Sequence, residues 1–351
     1  MRERSIGKLW RDARLDVSES SRKGIILMYH RVNDVGSDPW SLCVTPQHFA
    51  EHLVVLQKNV YPLRLQQLNK WMQTRGAPYQ SVVITFDDGY VDNLHYAKPL
   101  LERYEIPATI FLATGYIRDK REFWWDKLER LLLQPGTLPE TLRLSVNGIV
   151  HEWELGEVTH YSEDAYQRHR HWRAWEEAPS PRHSLYFSLW KLMHPLLESD
   201  RKILLDELLE WADIEPVSRA SHRVVSSLEV LDLAQGDLID IGSHTVTHAS
   251  LAKLPADLQR DEIRHSKSYL EEILNRPVTS FAYPYGSKQD YTAETISIVR
   301  DVGFACACST NAGIVGRQSD YFQLPRMHVQ DWDGDEFSRQ LSKWLDSGVV
   351  M

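Results

Sequence analysis

The sequence predicts an α/β protein in which parallel strands alternate with crossover helices and present polar side chains at one edge, with a mainly helical subdomain inserted part-way. Three observations predict it: short apolar runs that end in chemically active residues, amphipathic segments between those runs, and a long stretch, about 118–225, where strands become scarce.

In chain order, Gly24-Ile25-Ile26-Leu27-Met28-Tyr29-His30 reads as a buried strand that releases His30 at its C-terminal end. Thr45-Pro46 supplies an N-cap and a first-turn proline, and Phe49, Leu53 and Leu56 form the apolar stripe of a helix running to about Lys58. Ser81-Val82-Val83-Ile84-Thr85-Phe86 is a second strand, closed by Asp87-Asp88-Gly89. A helix near Asn93–Tyr104 and a strand at Ala108–Leu112 follow. The insertion opens with Phe123-Trp124-Trp125-Asp126-Lys127-Leu128. It contains a hairpin candidate at Leu142–Trp153 turning on Asn147-Gly148, and helical stripes at Leu185, Leu189, Leu192 and Leu196 and at Ile203, Leu204, Leu208 and Trp211. Such stripes face a core more often than a ligand, although tryptophans also suit the faces of sugar rings. Alternation resumes with a strand ending in Ser243-His244, a helix from Pro255 to Asn275, a strand closing in Tyr283-Pro284-Tyr285-Gly286, a helix over Thr292–Val302 and a strand from Phe304 to Cys308. Where parallel strands form a barrel, their C-terminal ends are where a site is built.

The composition excludes several classes of function. The 351 residues are 42% hydrophobic, enough for a sizeable core, and carry 49 acidic against 40 basic side chains, a net charge of −9. That balance gives no basis for nucleic-acid binding. The three cysteines, Cys43, Cys306 and Cys308, are odd in number, and the last two share a strand face, which argues against a disulfide framework or a thiolate metal site. No apolar run is long enough to span a bilayer, and the first residues lack the apolar core of a secretory signal, so the expected location is cytoplasmic. Within residues 1–23, Ile6, Leu9, Trp10 and Ala13 share a helical face beside Arg2, Arg4, Lys8, Arg11 and Arg14. That segment is expected to pack on its own domain, with peripheral contact to the inner membrane surface as the other reading.

The chemistry concentrates at two places. Adjacent Asp87 and Asp88 at a strand end allow one acid to bind a metal and the other to handle a proton, although an Asp-Gly turn alone would give the same letters. His244 and His248, at i and i+4, can aim two imidazoles at one ion. Two histidines and one aspartate leave positions open for water and substrate, the composition of a catalytic zinc site.

With these motifs in place, the sequence resembles the polysaccharide deacetylases, the NodB-homology family of carbohydrate esterases. Thr85-Phe86-Asp87-Asp88-Gly89 is similar to the first family motif, His244-Thr245-Val246-Thr247-His248 to the second, and Pro284-Tyr285 to the end of the third. The resemblance covers roughly 24–117 and 226–330. It implies a deformed (β/α) barrel over 24–117 and 226–351, interrupted by the helical insertion 118–225. It also implies a divalent metal, Zn2+ by expectation, on Asp88, His244 and His248, with Asp87 as general base and the Tyr285 backbone N–H as oxyanion donor.

Two departures from the pattern matter. The arginine that orients the base in the third motif is replaced by Ala282, and Arg326, in Leu324-Pro325-Arg326-Met327-His328, is the candidate substitute. The usual Leu-x-His acid motif near the C-terminal end of the domain is absent. Tyr29-His30-Arg31-Val32 instead resembles the N-terminal motif of biofilm poly-N-acetylglucosamine deacetylases, which makes His30 the expected acid and His328 the runner-up. The resemblance implies hydrolysis of the acetamide of an N-acetylated sugar or lipid-linked glycan in cell-surface polysaccharide synthesis. Hydrolysis of another amide C–N bond, or glycan binding without catalysis, are the alternatives.

Overall fold

The computed structural model describes residues 23–74, 80–119 and 121–346. The expectation for the N-terminal segment therefore falls almost wholly outside the described residues.

The first strand, β1 (Gly24–Tyr29), is buried along its whole length, as a strand covered on both faces must be. Helices α1 (Pro46–Asn59) and α2 (Leu65–Thr74) lead to β2 (Ser81–Phe86), and α3 (Lys98–Tyr104) leads to β3 (Ala108–Leu112). Beyond β3 come α4 (Thr114–Asp119) and α5 (Trp124–Leu133), a hairpin of β4 (Thr141–Val146) and β5 (Ile149–Glu154), and helices α6 (Glu163–His169), α7 (Pro181–Met193), α8 (Glu198–Trp211) and α9 (Ser227–Ala234). The alternation then returns with β6 (Ile239–Ser243), α10 (Ala256–Leu274), β7 (Ser280–Ala282), α11 (Ala293–Asp301), β8 (Cys306–Cys308), β9 (Met327–His328) and α12 (Gly334–Asp346).

The main sheet runs in the order β8-β7-β6-β3-β2-β1-β9 with all of these neighbours parallel. Its two edges are tied by one segment. Leu324 exchanges backbone hydrogen bonds with Ala307 and Ser309 beside β8, and Met327 and His328 pair with Leu27 and Met28 of β1. The sheet is thus curled into a deformed (β/α) barrel, and every strand's C-terminal end points to the same rim.

The insertion does not build a separate core. Phe123, Trp124, Leu128, Leu185, Leu189 and Leu208 are continuous with barrel residues such as Leu112 and Tyr29 in one apolar cluster. The hairpin forms as the Asn147-Gly148 pair requires, with both residues at positive φ, 52° and 78°. Of the α8 stripe, Ile203 instead faces solvent, and Leu205 and Leu209 are buried with Leu204 and Leu208.

One element differs from expectation for a local reason. The helix expected over Asn93–Tyr104 starts as a π turn, Asn93–Ala97, in which the Lys98 N–H donates to the Asn93 carbonyl. Pro99 has no N–H to give, so the preceding turn widens. The His244–His248 segment is a loop without a helical turn, since Thr245 and His248 both take left-handed φ values, 64° and 54°.

Candidate active site

The strand ends collect the chemistry. Asp87 and Asp88 follow β2, His244 follows β6, Tyr285 lies three residues beyond β7, His30 follows β1 and His328 ends β9. Asp88, Thr245, His248 and Tyr285 all hold left-handed backbone, with φ of 74°, 64°, 54° and 58°. Each such non-glycine residue costs roughly 1–2 kcal/mol, and strain of this kind gathers where side-chain direction matters more than local stability. Gly89 at φ 79° completes the turn, and a Cβ there would lie 2.4 Å from Leu112 Cδ2.

Asp88, His244 and His248 offer ligand atoms that all lie within 4.8 Å of one another. The Nε2 atoms of His244 and His248 stand 3.6 and 3.2 Å from Asp88 Oδ1, a buried oxygen with no hydrogen-bond partner among the described residues. His244 Nδ1 donates to the Ala282 carbonyl at 2.8 Å. A carbonyl can only accept, so the proton is on Nδ1 and the Nε2 lone pair faces the cluster. Burial pushes both imidazoles down, to about 4 for His244 and about 3 for His248, so both are neutral near pH 7 as ligands must be. The orphaned oxygen, the two lone pairs and the depth of the site fit a divalent metal ion.

The loop that carries the histidines has a brace that sequence reasoning missed. Glu262 of α10 accepts from the Val246 and Thr247 amides at 2.9 and 2.8 Å and from Thr247 Oγ1 at 2.8 Å, bridging the middle of the His-x-x-x-His loop. No local pattern marks it, because the acceptor comes from a helix that folds back onto the loop. Glu262→Ala is expected to weaken metal binding by roughly 10–100-fold, read as chelator competition against a zinc dye. Unaltered affinity would show the loop to be self-supporting.

Arg326 grips Asp87 in a two-pronged pair, Nη1 to Oδ1 at 2.7 Å and Nη2 to Oδ2 at 2.6 Å. Its Nε donates to the Ser309 carbonyl at 2.9 Å and its Nη1 to Thr85 Oγ1 at 3.2 Å, so the guanidinium is itself fixed. Both partners are buried, at 0 and 3% exposure. Burial would raise the Asp87 carboxyl, but Arg326 and then His244 outweigh it and hold the group well below the usual carboxylate range. Asp88, without such a partner, is pushed up by burial. The two neighbours are therefore electrostatically unequal. Ala282, where the family arginine was expected, contributes its carbonyl alone.

His30 and His328 lie on the same side of the site, rings 5.8 Å apart and edge to face. His30 Nδ1 and His328 Nε2 have no hydrogen-bond partner among the described residues. Burial lowers His30 to about 4 and also lowers His328, so either imidazole must first gain a proton before it can give one.

The Tyr285 turn is pinned by Thr310, whose Oγ1 donates to the Tyr285 carbonyl at 2.6 Å and whose N–H donates to the Gly286 carbonyl at 2.9 Å. The insertion closes over this side. The Trp125 and Tyr285 rings lie 4.8 and 4.6 Å from the His248 ring, and His194 sits 4.2 Å from Tyr285 with its Nε2 3.3 Å from Asp290. Trp124 and Trp125 are thus packed at the site as well as in the core, which their sequence spacing did not reveal.

A polysaccharide deacetylase family model matches residues 74–144 and 220–307, which contain Asp87, Asp88, His244, His248 and Tyr285. Over these two segments the chain is similar to the polysaccharide deacetylases. YxkH of Bacillus subtilis (strain 168), whose name assigns it to the polysaccharide deacetylases, is 30% identical over 146 residues, covering 40% of this chain and half the length of YxkH. Among solved structures, the Streptococcus pyogenes deacetylase PplD, in complex with acetate, superposes with a TM-score of 0.52 at 18% identity, covering 91% of this chain and 98% of PplD. IcaB from Ammonifex degensii gives a TM-score of 0.53 at 20% identity over 92% of this chain and 97% of its own. These likenesses show that the fold is that of the NodB-type deacetylase barrel. The family match leaves out His30, Arg326 and His328, and the stretch 145–219 within the insertion.

Proposed function

We propose that this protein is a polysaccharide deacetylase that hydrolyses the acetamide of an N-acetylated sugar in a glycan or glycan intermediate, with zinc as its metal. The single observation that carries the reading is the Arg326-clamped Asp87 beside the Asp88, His244 and His248 cluster: a fixed carboxylate next to a metal-ready triad at a barrel rim.

In this reading Asp88, His244 and His248 would hold the ion. When bound there, a divalent metal supplies Lewis-acid polarisation of the acetamide carbonyl and lowers the pKa of water. Asp87 takes the proton as water attacks, its direction set by Arg326. The Tyr285 amide donates to the oxygen that becomes negative as the carbonyl carbon turns tetrahedral. When the C–N bond breaks, the amine takes a proton from His30 in its protonated form, the proton that Asp87 took from water restores that imidazolium for the next cycle, and acetate and the free amino sugar leave.

The test is acetate release from N-acetylglucosamine oligomers by zinc-loaded protein, compared with protein stripped by chelator. Loss on stripping and recovery with zinc are expected. Bound zinc with no acetate from any acetylated sugar would favour a binding role. His30→Ala is expected to lower turnover about 10²-fold or more at unchanged zinc content, and His328→Ala by less. A fully active His30→Ala protein would move the acid to His328.

Among the described residues no helix is long and apolar enough to cross a membrane. A cytoplasmic site of action, on an intermediate of surface-polysaccharide assembly at the inner leaflet, is part of this proposal. Its support is the basic amphipathic pattern of residues 2–14.

A further inference from the structure

We propose that the helical insertion completes the catalytic apparatus through a side chain it does not own: Trp124 and Arg201 are positioning residues that hold the Tyr285 hydroxyl and so fix the Tyr285 amide. The inference rests on the reading of that amide as the oxyanion donor.

Thr310 fixes the carbonyls of Tyr285 and Gly286, and the ring packs 4.2 Å from His194 and 4.6 Å from His248, which leaves the hydroxyl to be placed by something else. Two donors converge on its oxygen, Trp124 Nε1 at 3.3 Å and Arg201 Nη1 at 3.5 Å. Both lie on insertion helices, α5 and α8, far from Tyr285 in sequence. At these lengths the two bonds add little to stability. What they supply is direction at the hydroxyl, the one part of Tyr285 that neither the Thr310 bonds to the turn nor the packing of the ring against His194 and His248 fixes.

Arg201 strengthens the case. It is fully buried, yet its Nε and Nη2 reach no hydrogen-bond acceptor among the described residues. The carboxylate paired with it, Glu198, stands 3.7 Å from Nη2 and is also held by Arg121 Nη1 at 2.5 Å. A buried guanidinium with idle donors is costly, and an apolar side chain of similar volume would fill the space at less expense. Its third nitrogen meets the phenol whose ring, 4.6 Å from His248, walls the metal cluster. The cost is thus met at the oxyanion turn.

The test compares Tyr285→Phe, which keeps the amide and loses the hydroxyl, with Trp124→Phe, Arg201→Met and Arg201→Lys. Backbone hydrogen exchange over residues 283–287 is expected to quicken about 10-fold in the first three variants and less in Arg201→Lys. In acetate release, kcat should fall about 10-fold or more with KM and zinc content unchanged. Arg201→Met added to Tyr285→Phe should cost no more than Tyr285→Phe alone. Unchanged exchange, multiplying effects in the double variant, or a change in KM alone would overturn the assignment. Exchange needs no turnover, so a wild type that releases no acetate refutes the proposed activity while the exchange rates still decide the clamp. Should Arg201→Met fail to fold, Tyr285→Phe and Trp124→Phe decide it.

Discussion

Asp87→Asn is expected to cut acetate release by about 10³-fold or more while zinc content stays at the wild-type level. The amide keeps the size of the carboxylate but cannot accept a proton. Asp88, His244 and His248, the residues that could hold a metal ion, are untouched. Metal analysis beside turnover separates the two neighbouring acids, because Asp88→Asn should lose both metal and activity together. The substitution also strands the Arg326 guanidinium, buried at 0% exposure, so a lower Tm accompanies the kinetic loss. Near-wild-type turnover by Asp87→Asn would remove it from the mechanism.

Arg326→Ala should lower turnover by about 10–10²-fold without emptying the metal site, and should also change the shape of the pH profile. Arg326 is the leading cause of the depressed Asp87 carboxyl, working against burial. Without it, a buried carboxylate loses its counter-ion and its pKa rises. Activity needs the ionised form, so the acid limb of kcat moves to higher pH. The same linkage governs stability. A depressed carboxyl contributes stability that is present above its unfolded value and lost as pH falls through the folded one, so the deficit of the variant should be largest near neutrality and shrink below about pH 4. Breaking such a buried pair costs about 3–5 kcal/mol at neutral pH. A thermal-melt series across pH checks this, and an acid limb that stays in place would show that Arg326 does not set the Asp87 charge.

Much of the fold was legible because its signals are local. Gly24–Tyr29 and the Val82-Val83-Ile84 centre of Ser81–Phe86 are apolar and both strands are buried throughout, Thr45-Pro46 caps its helix, with Thr45 Oγ1 accepting from the His48 amide, and Asn147-Gly148 makes its hairpin. Other features depend on partners distant in sequence. The π turn at Asn93–Ala97 needs Pro99 and the packing around it, and Glu262 reaches the His244–His248 loop only once α10 has folded back.

The site divides along the same line. Residue types and spacing alone placed two acids at one strand end and two histidines four apart, because a strand delivers its terminal residues to the sheet's rim whatever else the chain does. Which acid is held by a cation and which faces the histidines was decided by the tertiary structure. Arg326 lies 239 positions from Asp87 and meets it only because the segment from Leu324 to His328 ties β8 to β1 and closes the barrel. The role of Tyr285's hydroxyl was hidden for the same reason: Trp124 and Arg201 come to it from helices whose sequence pattern records burial, while direction toward a partner is fixed only by packing.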